Sequence, residues 1–293
     1  MTHIPVLLQE VVTGLQAKKG EVILDATVGG GGHSEALCKT IGEGTFVCLD
    51  ADEDAIDRSR TRLEGCACEF LFYRTNYRHL DEALASFGIQ GVNRVLFDLG
   101  LSSFQLGPSG RGFSFMHDEP LQMTFNKSPK EGEVTAKTIV NEWSEETIAT
   151  LLENYGEEKQ AKRIARKIVE VRETSLISTT FQLAGIVESV VKRKGKIHPA
   201  TKTFQALRIA VNDEFQGLKD GLSKAWEKLL PGGRIAVISF HSMEDRVVKD
   251  YFRELGNAEV GTVITKRPLV PGIEEVQRNP RSRSAKLRII EKI

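Results

Sequence analysis

Four cysteines among 293 residues are too few for a disulfide scaffold. Cys66 and Cys68 form a C-x-C pair without companion Cys or His at metal-ligand spacing, and Cys38 and Cys48 stand apart, so all four are expected to be buried or idle thiols. No metal site is expected. No apolar run approaches the roughly 20 residues of a membrane span. The opening MTHIPVLLQE has neither a basic stretch nor a cleavage site. These absences give the expectation of a soluble, globular, cytoplasmic protein with no membrane partner. There is also no net charge, although the charge is unevenly spread. Residues 1–100 hold 15 acids and 9 Lys or Arg, a net of −6, so the rest of the chain carries +6.

The most informative stretch is EVILDATVGGGGHSE, residues 21–35. Val22, Ile23 and Leu24 form a short apolar run, closed by Asp25 and followed by four consecutive glycines, Gly29 to Gly32. That is the pattern of a buried parallel strand, a tight loop and a helix start. A loop without Cβ atoms at a helix N-terminus lets backbone N–H groups approach a nucleotide-like cofactor. The dinucleotide fingerprint G-x-G-x-x-G fails at its last place, where Ser34 stands, so NAD is disfavoured. Asp25 could bond an amino-acid-like cofactor, and Asp50, closing the next strand at 45–49, could grip both ribose hydroxyls. The two acids suit S-adenosylmethionine, although either could also be a helix cap.

Strand and helix patterns then alternate: a helix at 6–16, strands at 22–24, 45–49, 69–72 and 94–97, and helices at 52–63 and 80–87. This implies an α/β, doubly wound parallel sheet whose ligand lies beyond the carboxyl ends of the strands, near Asp25, Asp50, Tyr77 and Asp98. Tyr77 could stack on an adenine or pack on the sheet rim. Residues 98–120, rich in Gly, Ser and Phe, are too long for an ordinary connection. Phe104, Phe113 and Phe115 there could stack on a base or fill a second core. From 131 to 211 only helical signals appear, which reads as an inserted all-helical domain. The expected boundaries are 1–108 with 212–293 for the sheet domain and 109–211 for the insertion. One amphipathic helix, with a stripe at Phe204, Leu207, Val211, Phe215, Leu218, Leu222, Trp226 and Leu229, is expected to return the chain to the sheet and to stop at Pro231-Gly232-Gly233. A strand at 234–239, a helix at 243–255 and two late strands at 260–265 and 287–290 complete the pattern.

The basic excess is concentrated in two runs. Residues 192–208 contain six Lys or Arg and no acid, and residues 278–288 contain five and no acid. Such runs bind phosphate backbones or form solvated faces. Lys192, Arg193, Lys194, Lys196, Arg281 and Arg283 are the RNA-contact candidates.

Taken together, DATVGGGGHS, DLGLSS, RGFSF, YGEE, HPATKTFQALRIAVNDE, PGGRIAVISFHSMEDR and NPRSRSAKLR resemble the MraW family of ribosomal RNA methyltransferases, in order and nearly end to end. The resemblance implies a Rossmann-like methyltransferase sheet carrying a helical insertion. It also implies S-adenosylmethionine-dependent methylation of the exocyclic N4 of a cytosine in the decoding region of 16S rRNA, on the assembled small ribosomal subunit. The family's cofactor positions fall on Gly31, Gly32, His33, Asp50, Tyr77, Asp98 and Gln105. A homodimer is left open. After RGFSF the family pattern D-G-P-L-D-M-R-M-D is replaced by Asp118-Glu-Pro-Leu-Gln-Met-Thr-Phe-Asn126, which loses two acids and an arginine.

Methylation at a ring carbon needs a thiolate that adds to the base, and no cysteine lies in 98–115 or beside His241. Amino methylation needs only a positioned nitrogen and acceptors for its protons. Asp98 with its following turn, Ser102 included, and His241 with Ser242 on the opposite wall are therefore the candidate catalytic groups, with the base turned toward Phe104 or Phe113. A small-molecule methyltransferase, or an RNA-binding protein that uses the cofactor without chemistry, are the alternatives.

Overall fold

The computed structural model describes residues 4–293 apart from 102, 128, 130, 131, 194, 196 and 197. In chain order it runs α1 (Leu8–Leu15), β1 (Val22–Asp25), α2 (Gly32–Ile41), β2 (Thr45–Asp50), α3 (Glu53–Leu63), β3 (Glu69–Arg74), α4 (Leu80–Ser86) and β4 (Val92–Asp98). The short α5 (Ser103–Leu106) precedes five longer helices: α6 (Ala136–Glu142), α7 (Glu145–Gly156), α8 (Ala161–Arg172), α9 (Thr180–Val190) and α10 (Thr201–Asn212). The chain ends through α11 (Glu214–Lys228), β5 (Leu229–Ser239), α12 (Ser242–Asn257), β6 (Gly261–Val263), α13 (Ile273–Arg278) and β7 (Lys286–Lys292). It divides into two compact units, Met1–Gly100 with Phe215–Ile293, and Leu101–Glu214. No helix among the described residues is long and apolar enough to cross a membrane.

The first unit is built on a seven-stranded sheet of order β3-β2-β1-β4-β5-β7-β6. The five strands β1 to β5 are mutually parallel, and β7 runs antiparallel to both β5 and β6. Parallel strands are buried on both faces, which is why they read as continuous apolar runs. Val95 and Phe97 of β4 join Leu24, Leu84, Leu218, Leu222 and Phe252 in one core. Leu96, between them, points the other way and joins Ile23, Leu37, Phe46, Leu15 and Ile289. The strand order reverses between β1 and β4, so Asp25 and Asp98 stand at the switch point where ligands of such sheets bind.

The second unit is helical and has its own core, in which Ile139, Ile148, Leu152, Ile164, Ile168, Leu183, Val187, Phe204 and Leu207 are buried. Phe113 belongs to this core and stacks on Phe125 at 5.6 Å, while Phe115 stacks on His198 at 4.3 Å. Phe113 is 5% exposed and Phe104 is 42% exposed, so of the two rings toward which a base is expected to turn, Phe113 is taken up by this core. The segment after RGFSF is packed here too: Asn212 bonds Phe125 N at 3.1 Å and the Met123 carbonyl at 2.8 Å.

Glu119, where the family pattern has glycine, is 6% exposed and accepts from Gly110 N at 2.9 Å and Gly112 N at 2.8 Å. Gly112 needs to be glycine, because at φ 74° its Cβ would lie 2.3 Å from the Pro120 carbonyl oxygen. Glu119→Ala would strand two backbone donors, one of them buried, at a cost of about 1–3 kcal/mol. The melting temperature is expected to fall by several degrees in a thermal denaturation scan.

Two sequence expectations are corrected. The single helix across 204–229 is two, because Asp213 adopts a left-handed conformation (φ 47°), which aspartate tolerates better than most residues. Its stripe serves two cores, with Phe204 and Leu207 in the second unit and Leu218 and Leu222 in the first. The Arg208 fork on Glu214, both contacts at 2.7 Å, spans the break. Pro231-Gly232-Gly233 does not stop the helix either. α11 ends at Lys228, Leu229 already pairs with Val92, and the Pro-Gly-Gly stretch is a bulge inside β5 before Arg234 pairs with Arg94.

Candidate active site

The glycine loop is pinned before it meets any ligand. Ala26 N bonds the Leu96 carbonyl at 2.9 Å and Val28 N bonds the Leu49 carbonyl at 2.8 Å, tying the loop to β4 and β2. Gly29 (φ 52°) and Gly31 (φ 74°) are left-handed, and a Cβ on Gly32 would lie 2.4 Å from Pro5 Cγ. Asp25, 1% exposed, accepts from Ser34 Oγ at 2.5 Å and Thr27 N at 3.3 Å. Its carboxylate thereby shapes the strand end and the first turn of α2. Asp50 is used similarly, accepting from Gly29 N at 3.0 Å and Asp52 N at 2.9 Å. Burial pushes both carboxyls up to about 6. Tyr77 packs edge-on against Phe97, with ring centroids 5.6 Å apart.

Asp98 is the outlier of the site. Its backbone N–H donates to Thr27 Oγ1 at 2.6 Å, and its Oδ1 is buried without a hydrogen-bond partner among the described residues. Its Oδ2 lies 3.6 Å from Nδ1 of His33. The other ring nitrogen of His33 is 3.0 Å from the Val6 carbonyl oxygen, which can only accept, so Nε2 carries a proton and Nδ1 is the nitrogen that faces Asp98. Burial, and then the charges of Asp25 and Glu244, push the Asp98 carboxyl up to about 8.

His241 is the N-cap of α12. Its Nδ1 accepts from Glu244 N at 3.4 Å, and Glu244, 4% exposed, closes the capping box by accepting from Phe240 N at 2.8 Å and His241 N at 3.3 Å. Nε2 of His241 lies 2.9 Å from Glu244 Oε1 but is not aligned to bond it. Sequence reasoning missed Glu244 and Thr27. The spacing His241-x-x-Glu244 before an apolar stripe was the available signal for Glu244, whereas nothing in the loop marked Thr27 as the hydroxyl that accepts from the Asp98 backbone N–H.

The remaining candidates fall elsewhere. Ser102 lies outside the described residues, and Gln105, 5% exposed, sits on α5 in the second unit. Lys194 and Lys196 also lie outside the described residues, while Lys192 and Arg193 are exposed after α9. Of the C-terminal run, Arg281 and Arg283 are exposed, but Arg288 is buried against Asp245 at 2.6 Å and Lys286 reaches the same carboxylate at 3.0 Å. Those two charges tie β7 to α12.

The donor set fits S-adenosylmethionine. A loop cleared of Cβ atoms can admit an adenosine, and the buried acids, Asp98 above all, gain from a neighbouring sulfonium cation. Such a sheet and strand-end chemistry define a methyltransferase that uses S-adenosylmethionine. Over its full length, residues 1–293, the chain matches the MraW methylase family, and it belongs to that family. It is 45% identical to the ribosomal RNA small subunit methyltransferase H of Persephonella marina, with 99% of each chain covered. To the protein of the same name from Carboxydothermus hydrogenoformans it is 43% identical, over 100% of this chain and 98% of the relative.

Proposed function

We propose that the protein methylates the exocyclic N4 of a cytosine in the decoding region of 16S rRNA, with the assembled small ribosomal subunit as its substrate. The names of its relatives support an rRNA substrate. The observation that carries the chemistry is Asp98, whose buried Oδ1 has no hydrogen-bond partner among the described residues, at the switch point of the sheet. Bound S-adenosylmethionine supplies an electrophilic methyl group. Gly29 to Gly32, His33, Asp50 and Tyr77 hold the cofactor, and Asp98 accepts a hydrogen bond from N4 and takes the proton that the amino nitrogen loses as it gains the methyl group. Thr27 anchors the Asp98 backbone at the strand end, and His33 lies beside its Oδ2.

The thiols support nitrogen over carbon as the methyl acceptor. Burial raises Cys48 and Cys66 above the ordinary thiol range and Cys68 to about 12, and Cys38 is 2% exposed on α2, so no thiolate stands ready to add to a pyrimidine ring. A variant with all four cysteines replaced by Ser or Ala is expected to keep wild-type turnover per folded molecule. Transfer of labelled methyl groups, normalised to folded protein by circular dichroism, checks this. A folded cysteine-free enzyme that transfers nothing would overturn the assignment to N4.

A further inference from the structure

The polar face of α8 is built against the interests of the helix itself. Ala161, Ile164, Ala165 and Ile168 are buried in the helical unit, which leaves Lys162, Arg163, Arg166 and Lys167 on the outer side. From Lys159 to Arg172 the sequence holds six cations and one acid, Glu170. Helices gain from acids in their first turn, yet the first turn of α8 has none, its N-cap Gln160 makes no side-chain cap bond, and Lys162 and Arg163 occupy that turn. Lys162 with Arg166, and Arg163 with Lys167, are like-charge pairs four residues apart, which repel as much as opposite pairs attract. Local acids neutralise the face only in part. Arg166 Nε is 3.6 Å from Glu145, Lys167 pairs with Glu170 at 3.1 Å, and Arg163 bonds the neutral Gln160 at 3.0 Å. Arg163, Arg166, Lys167 and Glu170 also line a cleft of about 400 Å³ with Ser189 and Val190 of α9, just before the exposed Lys192 and Arg193.

A face that repels itself and opens on a cleft is stabilised by a polyanion. We propose that this face of α8 and the cleft beside it dock the phosphate backbone of rRNA, with the two guanidinium forks gripping phosphate oxygens and Lys167 adding a point charge. The proposal rests on the rRNA substrate. It makes α8 an anchoring surface that fixes where the RNA lies without reading its bases.

The test is the triple variant Arg163→Gln, Arg166→Gln, Lys167→Gln in the full-length protein, titrated onto purified small subunits over a range of salt concentrations. Three lost phosphate contacts should flatten the slope of log affinity against log salt by about 2 to 3. S-adenosylmethionine affinity, measured by calorimetry, should be unchanged. A control that removes equal charge elsewhere, Lys219→Gln, Lys249→Gln, Arg253→Gln, should keep the wild-type slope. Should the triple variant fail to fold, amine acetylation of the wild type read by mass spectrometry replaces it, with Lys162 and Lys167 expected to be protected by bound subunits. A triple-variant slope equal to wild type, an equal effect in the control, or unprotected lysines would overturn the surface alone. A wild-type protein that binds no subunits at low salt would overturn the rRNA substrate with it.

Discussion

Asp98→Ala is expected to cut turnover by 100-fold or more, the loss typical of one preorganised contact to developing charge. The expectation rests on a carboxylate whose Oδ1 is buried without a hydrogen-bond partner among the described residues and whose Oδ2 is 3.6 Å from His33 Nδ1. A group kept only for folding would have its oxygens bonded, as those of Asp25 and Asp50 are. With the carboxyl pushed up to about 8, wild-type kcat/KM should climb with pH as Asp98 ionises and level off above that value. Asp98→Asn, with the same shape and no proton to gain, should lose both the rate and the climb. Stability has the opposite sign. The native state holds this proton from about pH 4 to 8 while the unfolded chain has released it, so the contribution of Asp98 to stability falls across that window and is flat above it. Asp98→Ala should therefore show a flatter dependence of melting temperature on pH. Unchanged turnover with weaker cofactor binding would reduce Asp98 to a cofactor-orienting group.

For Asp50→Ala the expected result is S-adenosylmethionine binding weaker by about 1.5–3 kcal/mol, roughly 10- to 150-fold in Kd. The carboxylate already accepts from Gly29 N and Asp52 N, so its removal loosens the glycine loop as well as removing acceptors for ribose hydroxyls. Because burial lifts this carboxyl to about 6, wild-type affinity should weaken as pH falls through that value, and the Ala variant should not share the dependence. Calorimetric titration at several pH values checks both. Equal affinity in the variant would mean that Asp50 serves only to tie the loop.

The sheet was legible because buried parallel strands announce themselves. Val22-Ile23-Leu24 and Val95-Leu96-Phe97 are apolar on both faces, and each is closed by an acid that could sit only at a strand end. The glycine loop was legible for the same local reason. Less could be read where tertiary contacts decide. Nothing in the sequence separates the part of the stripe that packs in the helical unit from the part that covers the sheet, and the break at Asp213 depends on one residue's backbone conformation. Among the acids, sequence treats Asp25, Asp50 and Asp98 alike. Only the structure distinguishes two carboxylates occupied by loop N–H and hydroxyl groups from one with a buried, unbonded oxygen. Within the basic runs some cations fold the chain, as Arg208 and Arg288 do, and on α8 the charges are interleaved with apolar residues and look like an ordinary amphipathic helix.

The most direct test of the account is the identity of the methylated atom. The protein is incubated with methyl-labelled S-adenosylmethionine and small subunits lacking the native methylation, and the rRNA is digested and its nucleosides are resolved by mass spectrometry. The account expects label in N4-methylcytidine at a single position in the decoding region. Label in 5-methylcytidine, label on another base, or a folded, cofactor-binding protein that labels no rRNA would contradict it.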